Sequence, residues 1–301
     1  MSNLKISVLT PAYNREKLLG NLYKSLIENL KYNIDIEWII MDDGSTDNTK
    51  LLIERYIKEN KIDIKYFYQE NQGKMVAINN LVDKAQGDLI IECDSDDYFT
   101  DDAFKIIKDE YNKYENDEKA YALCFLKYDE NGNNMGNMLK NKRTTMFDLY
   151  FKEAETGEKA LVFYKNIRKK YMHKLEHNER FVTEARMYHE MDLKYNIICI
   201  NKPIMICEYQ KDGYTQNIKK QFIENPYGYY EYFKEILKRN MRGVKLNKRL
   251  YAIKHYILFC VLLKKRIDLK NIKEIKNKIL VVILYLPGKL KTERGFKNNI
   301  V

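Results

Sequence analysis

No apolar run in this chain approaches the ~20 residues that a membrane-spanning helix requires. The two runs in the carboxyl-terminal third, Tyr256–Leu263 and Ile279–Leu286, both stop well short. The loop after the first strand-like segment lacks glycine. Thr10-Pro11-Ala12-Tyr13-Asn14 stands where a nucleotidyltransferase has a glycine-rich loop, and no aspartate stands there to serve a phosphatase as nucleophile. The five cysteines (Cys93, Cys124, Cys199, Cys207, Cys260) are odd in number and without metal-type spacing. They read as buried free thiols in a reducing cytosol. Of four histidines, His173 and His177 share a helical face, too few ligands for zinc, and His189 carries no assignment. Internal repeats and low-complexity linkers are absent. The start, Met1-Ser2-Asn3-Leu4-Lys5, runs straight into strand-like Ile6-Ser7-Val8-Leu9, so no signal peptide is expected.

What is present is enough for a large core: 301 residues, 45% apolar, with 32% charged residues of both signs. The net charge of +10 conceals a division. Residues 1–150 hold 20 Lys and Arg against 27 Asp and Glu (net −7), and residues 151–301 hold 33 against 16 (net +17). From Lys234 onward the balance is 19 to 4 (net +15). An acidic body with a basic tail points to an anionic surface as partner for the tail, either membrane or nucleic acid.

The first hundred residues alternate strand and helix patterns. Strands are predicted at Lys5–Thr10, Ile36–Met41, Asp63–Tyr68 and Asp88–Glu92, and helices over 16–31, 47–60 and 74–86. Asp47 and Asp101 are placed to cap helices. Such alternation predicts an α/β fold, a mostly parallel sheet with helices on both faces. Further strands are predicted at Ala120–Tyr128, Ile197–Ile200 and Ile204–Tyr209, a helix over Phe181–Tyr195, and helices through 221–290.

Two clusters of aspartate end apolar runs: Asp42-Asp43 after Ile36–Met41, and Asp94-Ser95-Asp96-Asp97 after Leu89–Cys93. Carboxylates this close repel, so a folded chain keeps them near water, near donors or around a cation. Both fall at the carboxyl ends of strands, where open α/β sheets bind ligands. In the first cluster Gly44 permits a tight turn, and the acidic loop would repel a phosphate, so it is no P-loop. In the second, an extended backbone would set alternate carboxylates on one side, an oxygen-rich site suited to Mg²⁺ or Mn²⁺.

Taken together, Thr10-Pro11-Ala12-Tyr13-Asn14, Asp42-Asp43-Gly44-Ser45-Thr46-Asp47, Asn71-Gln72-Gly73-Lys74 and Asp94-Ser95-Asp96-Asp97, each after a strand, resemble family 2 glycosyltransferases. The resemblance is dense over residues 5–98 and looser from 99 to about 217. It implies a GT-A (Rossmann-like) fold, a nucleotide-sugar donor with UDP-sugar favoured, a divalent metal, and inversion at the anomeric carbon. It implies that Thr10 and Tyr13 flank the base, with Asp42 and Asp43 in the base loop and Asp43 accepting from the uracil N–H. Lys74 would lie near the base or diphosphate, Asp94 and Ser95 near the ribose or sugar, and Asp96 on the metal with Asp97 as second candidate ligand. The family's acidic base maps to Glu184, in Arg180-Phe181-Val182-Thr183-Glu184-Ala185-Arg186-Met187, where Ala185 replaces a usual second acid. The segment Glu208-Tyr209-Gln210-Lys211-Asp212-Gly213-Tyr214 accompanies that pattern in relatives.

The expected organisation is therefore a nucleotide-sugar half (1–98), an acceptor half (99–220) and a basic helical region (221–301). The expected activity is transfer of a sugar to a glycan or polyprenyl-linked acceptor in cell-surface polysaccharide synthesis, at the cytoplasmic face. The alternative is an inactive nucleotide-sugar-binding protein of the same fold. Nucleic acid is not expected as partner, because the acidic front half and its strand-end aspartates have no place in such a binder. Lysine clusters beside both tail runs suit a helix on an anionic leaflet, through residues 234–301. The alternative is that both runs pack on the body.

Overall fold

The computed structural model describes residues 4–208 and 218–297, with side chains of the last helix to 292. The remainder of the predicted 208–214 segment, Tyr209 to Tyr214, lies outside the described residues. Strands are β1 Lys5–Ala12, β2 Asp35–Asp42, β3 Asp63–Tyr68, β4 Leu89–Glu92, β5 Asp97–Phe99, β6 Ala120–Asp129, β7 Arg143–Thr144, β8 Lys159–Tyr164 and β9 Asn196–Cys207. Helices are α1 Leu19–Asn29, α2 Thr49–Glu59, α3 Lys74–Lys84, α4 Ala103–Tyr114, α5 Lys165–Arg168, α6 Glu184–Met191, α7 Ile218–Glu224, α8 Pro226–Lys238, α9 Leu246–Leu262 and α10 Ile275–Lys297.

The strands form one sheet in the order β3-β2-β1-β4-β8-β6-β9-β5, with β7 on β9. β3, β2, β1 and β4 are mutually parallel. Their connections contain α1, α2 and α3, because parallel neighbours need a crossover. The chain steps outward from β1 to β2 to β3 and then returns to the other side of β1 as β4. That reversal opens a crevice beyond the carboxyl ends of β1 and β4, the place where such sheets take ligands.

Alternation along each strand divides the core. Ile6, Val8, Ile36, Trp38, Ile40, Leu89 and Ile91 join Leu19, Leu22 and Leu26 of α1 and Ile53 of α2 in one cluster. Leu9, Ile39, Met41 and Ile90 are buried on the opposite face, and α3 packs against β1 and β2. Burial on both faces explains why these strands read as unbroken apolar runs.

Several predicted boundaries move. The helix predicted over 181–195 is confined to α6. The two strands predicted on either side of Pro203 are one strand, β9, whose register against β6 slips at Phe125 and Leu126, because proline gives the ladder no N–H. Asp102 rather than Asp101 precedes α4, without a side-chain cap. Asp47 does serve α2, accepting from the Thr49 amide at 3.0 Å.

The chain divides into two compact units. One takes in Met1–Met146, Glu155–His173 and His189–Gln210, and contains the sheet. The other takes in Phe147–Ala154, Lys174–Tyr188 and Lys211–Val301. The helical unit thus draws on more of the chain than the expected 221–301 stretch. Its core unites Phe147 and Phe151 with Tyr229, Phe233 and Ile236 of α8, Ile253, Tyr256 and Phe259 of α9, and Val281 of α10.

Candidate active site

The loops that follow β1, β2, β3 and β4 are bound to one another. After β1, Asn14 adopts a left-handed conformation (φ 54°). Its amide donates to Ser45 Oγ at 2.9 Å and its Oδ1 accepts from the Thr46 amide at 2.8 Å. The Arg15 amide donates to Thr49 Oγ1 at 2.8 Å, and Arg15 Nε donates to Ser95 Oγ at 3.1 Å. Lys74, the first residue of α3, stands 2.8 Å from both oxygens of Asp94. Gly44 (φ 83°) lets the second loop pass Asn71, whose amide nitrogen a Cβ there would meet at 2.9 Å. The motifs scattered over residues 10–97 therefore meet at one end of the parallel strands.

Within this frame the predicted site residues separate into embedded and open. Thr10 is a correction: it is fully buried, and its hydroxyl accepts from Trp38 Nε1 at 3.0 Å, so its side chain ties β1 to β2 inside the core. Asp42 is also corrected from ligand to scaffold. It is buried, Oδ1 accepts from the Ser45 amide and Oδ2 from the Tyr66 hydroxyl, each at 2.8 Å. Burial and that carboxylate push the Tyr66 hydroxyl well up. Asp43 accepts from Gln69 Nε2, the Gln72 amide and the Gly73 amide, each at 2.8 Å, and so clasps the loop before α3. A carboxylate has about four acceptor positions, leaving one for an incoming N–H. Tyr13, by contrast, is 45% exposed.

The second acid cluster is a turn, not the extended segment predicted, since the Asp97 amide donates to the Asp94 carbonyl at 3.1 Å. The turn sorts its acids by neighbour. Asp97 is buried and takes Lys127 Nζ at 2.7 Å, and that ammonium also reaches Glu158 at 3.2 Å. Burial disfavours the Lys127 charge, but Asp97 and Glu158 more than restore it and raise its pKa. Ser95 is buried under Arg15. Asp94 faces outward on Lys74. Asp96 has neither ion pair nor side-chain hydrogen bond among the described residues. Burial, then the charges of Asp94 and Asp97, push it up to about 6.

An acid short of positive partners is where a cation would bind. Among the described residues no three His, Cys, Asp or Glu form a ready cage. The fit is instead with an ion such as Mg²⁺ or Mn²⁺ that takes one or two carboxylates and completes its shell from phosphate oxygens and water. Asp96 is the acid placed for this, with Asp94 beside it. Asp97, predicted as a second ligand, is occupied by Lys127.

Glu184 opens α6 in the helical unit, where a negative charge suits the helix start. It is half-buried, and Tyr188 Oη donates to it at 3.4 Å. The Arg180 and Phe181 amides donate to Asn225 Oδ1, and Glu179 accepts from the Tyr227 and Gly228 amides at the start of α8.

Sequence reasoning missed Arg15, Gln69 and Lys127. Arg15 alone carried a signal, standing directly after the quoted Tyr13-Asn14 pair. Gln69 and Lys127 are polar residues in unremarkable runs, marked only by the fold.

Comparison with known proteins follows this geometry. The model for glycosyl transferase family 2 matches residues 7–189. An uncharacterized glycosyltransferase of Mycoplasma genitalium is 30% identical over 125 residues, 40% of this chain and 41% of that protein, so the match spans about two fifths of that relative. The GalNAc(5)-diNAcBac-PP-undecaprenol beta-1,3-glucosyltransferase of Campylobacter jejuni is 27% identical over 252 residues, 80% of this chain and 76% of that protein. In fold, Staphylococcus aureus TarS 1-349 in complex with UDP-GlcNAc superposes with a TM-score of 0.66 at 16% identity, covering 99% of this chain and 93% of that one. The mannosyltransferase PcManGT of Pyrobaculum calidifontis, in complex with GDP-Man and Mn2+, gives 0.55 at 15% identity, over 97% and 84%.

Proposed function

This chain belongs to glycosyl transferase family 2, and we propose that it transfers a sugar from a nucleoside diphosphate donor, UDP-sugar favoured, to a hydroxyl of a glycan or lipid-linked glycan, with inversion. One observation carries the reading: the loops after four parallel strands are laced together around an acidic turn in which Asp94 and Asp97 have a lysine each and Asp96 has no ion pair among the described residues.

The assignments follow from exposure and bonding. Tyr13 offers its open ring to the base. Asp43 holds the loop before α3 in shape and has one acceptor left for a base N–H. Arg15 and Lys74, which reach Ser95 and Asp94 of the acidic turn, are the cations suited to a diphosphate whose negative charge grows as the sugar–phosphate bond breaks. Lys74 would then exchange Asp94 for phosphate, freeing Asp94 to orient sugar or ribose hydroxyls. Asp96, aided by Asp94, would hold a divalent ion, which when bound supplies Lewis-acid stabilisation of the leaving group. Glu184 is assigned as the base that accepts the acceptor hydroxyl's proton as the oxygen bonds to the anomeric carbon. Support for Glu184 is its place in the family pattern and at the start of α6.

The test is a thermal-shift panel of UDP-, GDP- and dTDP-sugars with and without Mn²⁺. A ligand that binds only the native state at 100 times its dissociation constant adds about 2.7 kcal/mol, and one nucleotide should stand out. No shift from any nucleotide sugar would end the proposal. A shift without sugar transfer to any acceptor would move the reading to a binding protein. Glu184→Gln should keep the shift and lower turnover by at least ~10²-fold, and unchanged turnover would remove its role.

A further inference from the structure

The predicted tail runs part company in the structure. All of Tyr256–Leu263 but its last residue lies in α9, where Tyr256, Ile257, Phe259 and Cys260 are buried in the helical core. That run packs and is not available to a surface. α10 differs. Asn277 and Val281 are fully buried, Leu280 and Leu284 pack on the same core, and Gly288 lies so close to Ile257 that a Cβ would meet its side chain at 3.0 Å. At about 100° per residue these positions define the inward face.

On the outward face stand Ile275, Ile279, Val282, Ile283, Leu286 and Leu290, each more than half exposed, with Leu286 at 67%. They keep to an arc of about 100° along about 24 Å of helix. Lys276 borders the arc on one side, Lys278 and Lys289 on the other, and residues 275–292 contain no acid. No helix among the described residues is long and apolar enough to cross a membrane. We propose that this outward face of α10 is a docking surface for an anionic lipid bilayer, lying in the plane of the interface with its isoleucines and leucines among the acyl chains and its border lysines on the headgroups.

Charge chooses this occupant. A helix with an apolar arc between lysine rows is the form that an interface of apolar depth and negative headgroups accepts. A second copy of the chain, pairing arc to arc, would bring lysine rows together with no acid in 275–292 to meet them. The inference is independent of the sugar-transfer reading, because it rests on α10 alone.

Flotation of the full chain with vesicles tests it. The protein should float with phosphatidylcholine vesicles that contain phosphatidylglycerol and much less with phosphatidylcholine alone. The variant Ile279→Ser/Ile283→Ser/Leu286→Ser should lower the bound fraction at least ~10-fold, with melting temperature and donor binding unchanged. The variant Lys276→Glu/Lys278→Glu/Lys289→Glu should abolish the preference for phosphatidylglycerol. Undiminished flotation of the triple serine variant would overturn the proposal. So would a wild type that ignores both vesicles and whose dimer in light scattering becomes monomer in that variant, because the arc would then join two copies.

Discussion

Two acids at opposite ends of the parallel sheet show how one architecture treats the same chemistry in two ways. Glu37, near the amino end of β2, is fully buried and met by four donors. These are the Ser7 hydroxyl, Lys65 Nζ at 2.6 Å, and the Gln86 and Gly87 amides at 2.7 and 3.1 Å. Gly87 makes this possible, since a Cβ there would meet the Ser7 amide nitrogen at 2.5 Å. Burial alone would raise Glu37, yet the Lys65, Ser7 and Gln86 bonds reverse it, and its carboxyl lies below the usual range. Asp96, at the carboxyl end beside β4, is only half-buried but has like charges for neighbours, and shifts the other way. An acid whose donors are all supplied by the fold is structural. One whose partners are withheld is poised for a partner from outside.

The contrast recurs within a single turn: burial pushes the Asp97 carboxyl up as it does that of Asp96, but Asp97, like Glu37, is buried against a lysine that the fold supplies. Lys127→Met should therefore have the largest effect. It strands Asp97 as an uncompensated buried charge and should cost about 3–5 kcal/mol in urea denaturation. Adding Asp97→Asn should recover much of that loss, and failure to recover it would break the assignment of Asp97 to the scaffold. Asp96→Asn should act on the other side of the comparison. Transfer should fall at least ~10²-fold, about 2.7 kcal/mol of barrier, while the melting temperature holds or rises as repulsion with Asp94 and Asp97 is relieved. Undiminished turnover in the purified variant would leave Asp96 without its role.

Glu37→Gln sharpens the structural side, at about 1–3 kcal/mol, and its pH dependence has a fixed sign. The folded pKa of Glu37 lies below the unfolded value, so its contribution is full above the ordinary carboxylate range and drains as pH falls through the folded pKa. The stability gap between wild type and Glu37→Gln should be widest near neutrality and close as pH drops below about 4.5. A gap that widens in acid would contradict the shift. The smallest effect is expected of Thr10→Val, about 1 kcal/mol from the lost Trp38 bond, with donor KM unchanged. A raised KM would return Thr10 to the site.

Much of the framework was legible before the fold. β2 and β3 fall within a residue of their predicted bounds; β2 is buried on both faces and says so in a mostly apolar run, while β3, at the sheet edge, shows itself by its isoleucine and aromatic residues. The acid clusters were legible for the same reason: charge directly after such a run must lie where the strand ends. What could not be read was which acid remains open. Asp42 and Asp43 look alike in sequence, and only the approach of Tyr66, Gln69 and the Gln72 and Gly73 amides shows both to be engaged. Two strands were expected at Ile197–Ile200 and Ile204–Tyr209, yet β9 runs through Pro203 with an irregularity against β6. The apolar tail runs also looked equivalent, and packing separated them.

By itself, then, the sequence determined the alternation of strands and helices, the parallel half of the sheet, the family, and the strand ends at which the acids collect. These are local properties, written in periodicity and in the order of residues along a few turns of chain. Tertiary structure decided the states of those acids: Lys127, thirty positions from Asp97, pairs with one, Lys74 holds another, and among the described residues no ion pair reaches Asp96. It likewise decided that α9 turns its apolar face inward while α10 keeps one face for the core and leaves the other to solvent. The reason is that a carboxylate's charge and a helix's exposure depend on neighbours brought in from distant parts of the chain, and no local pattern specifies them.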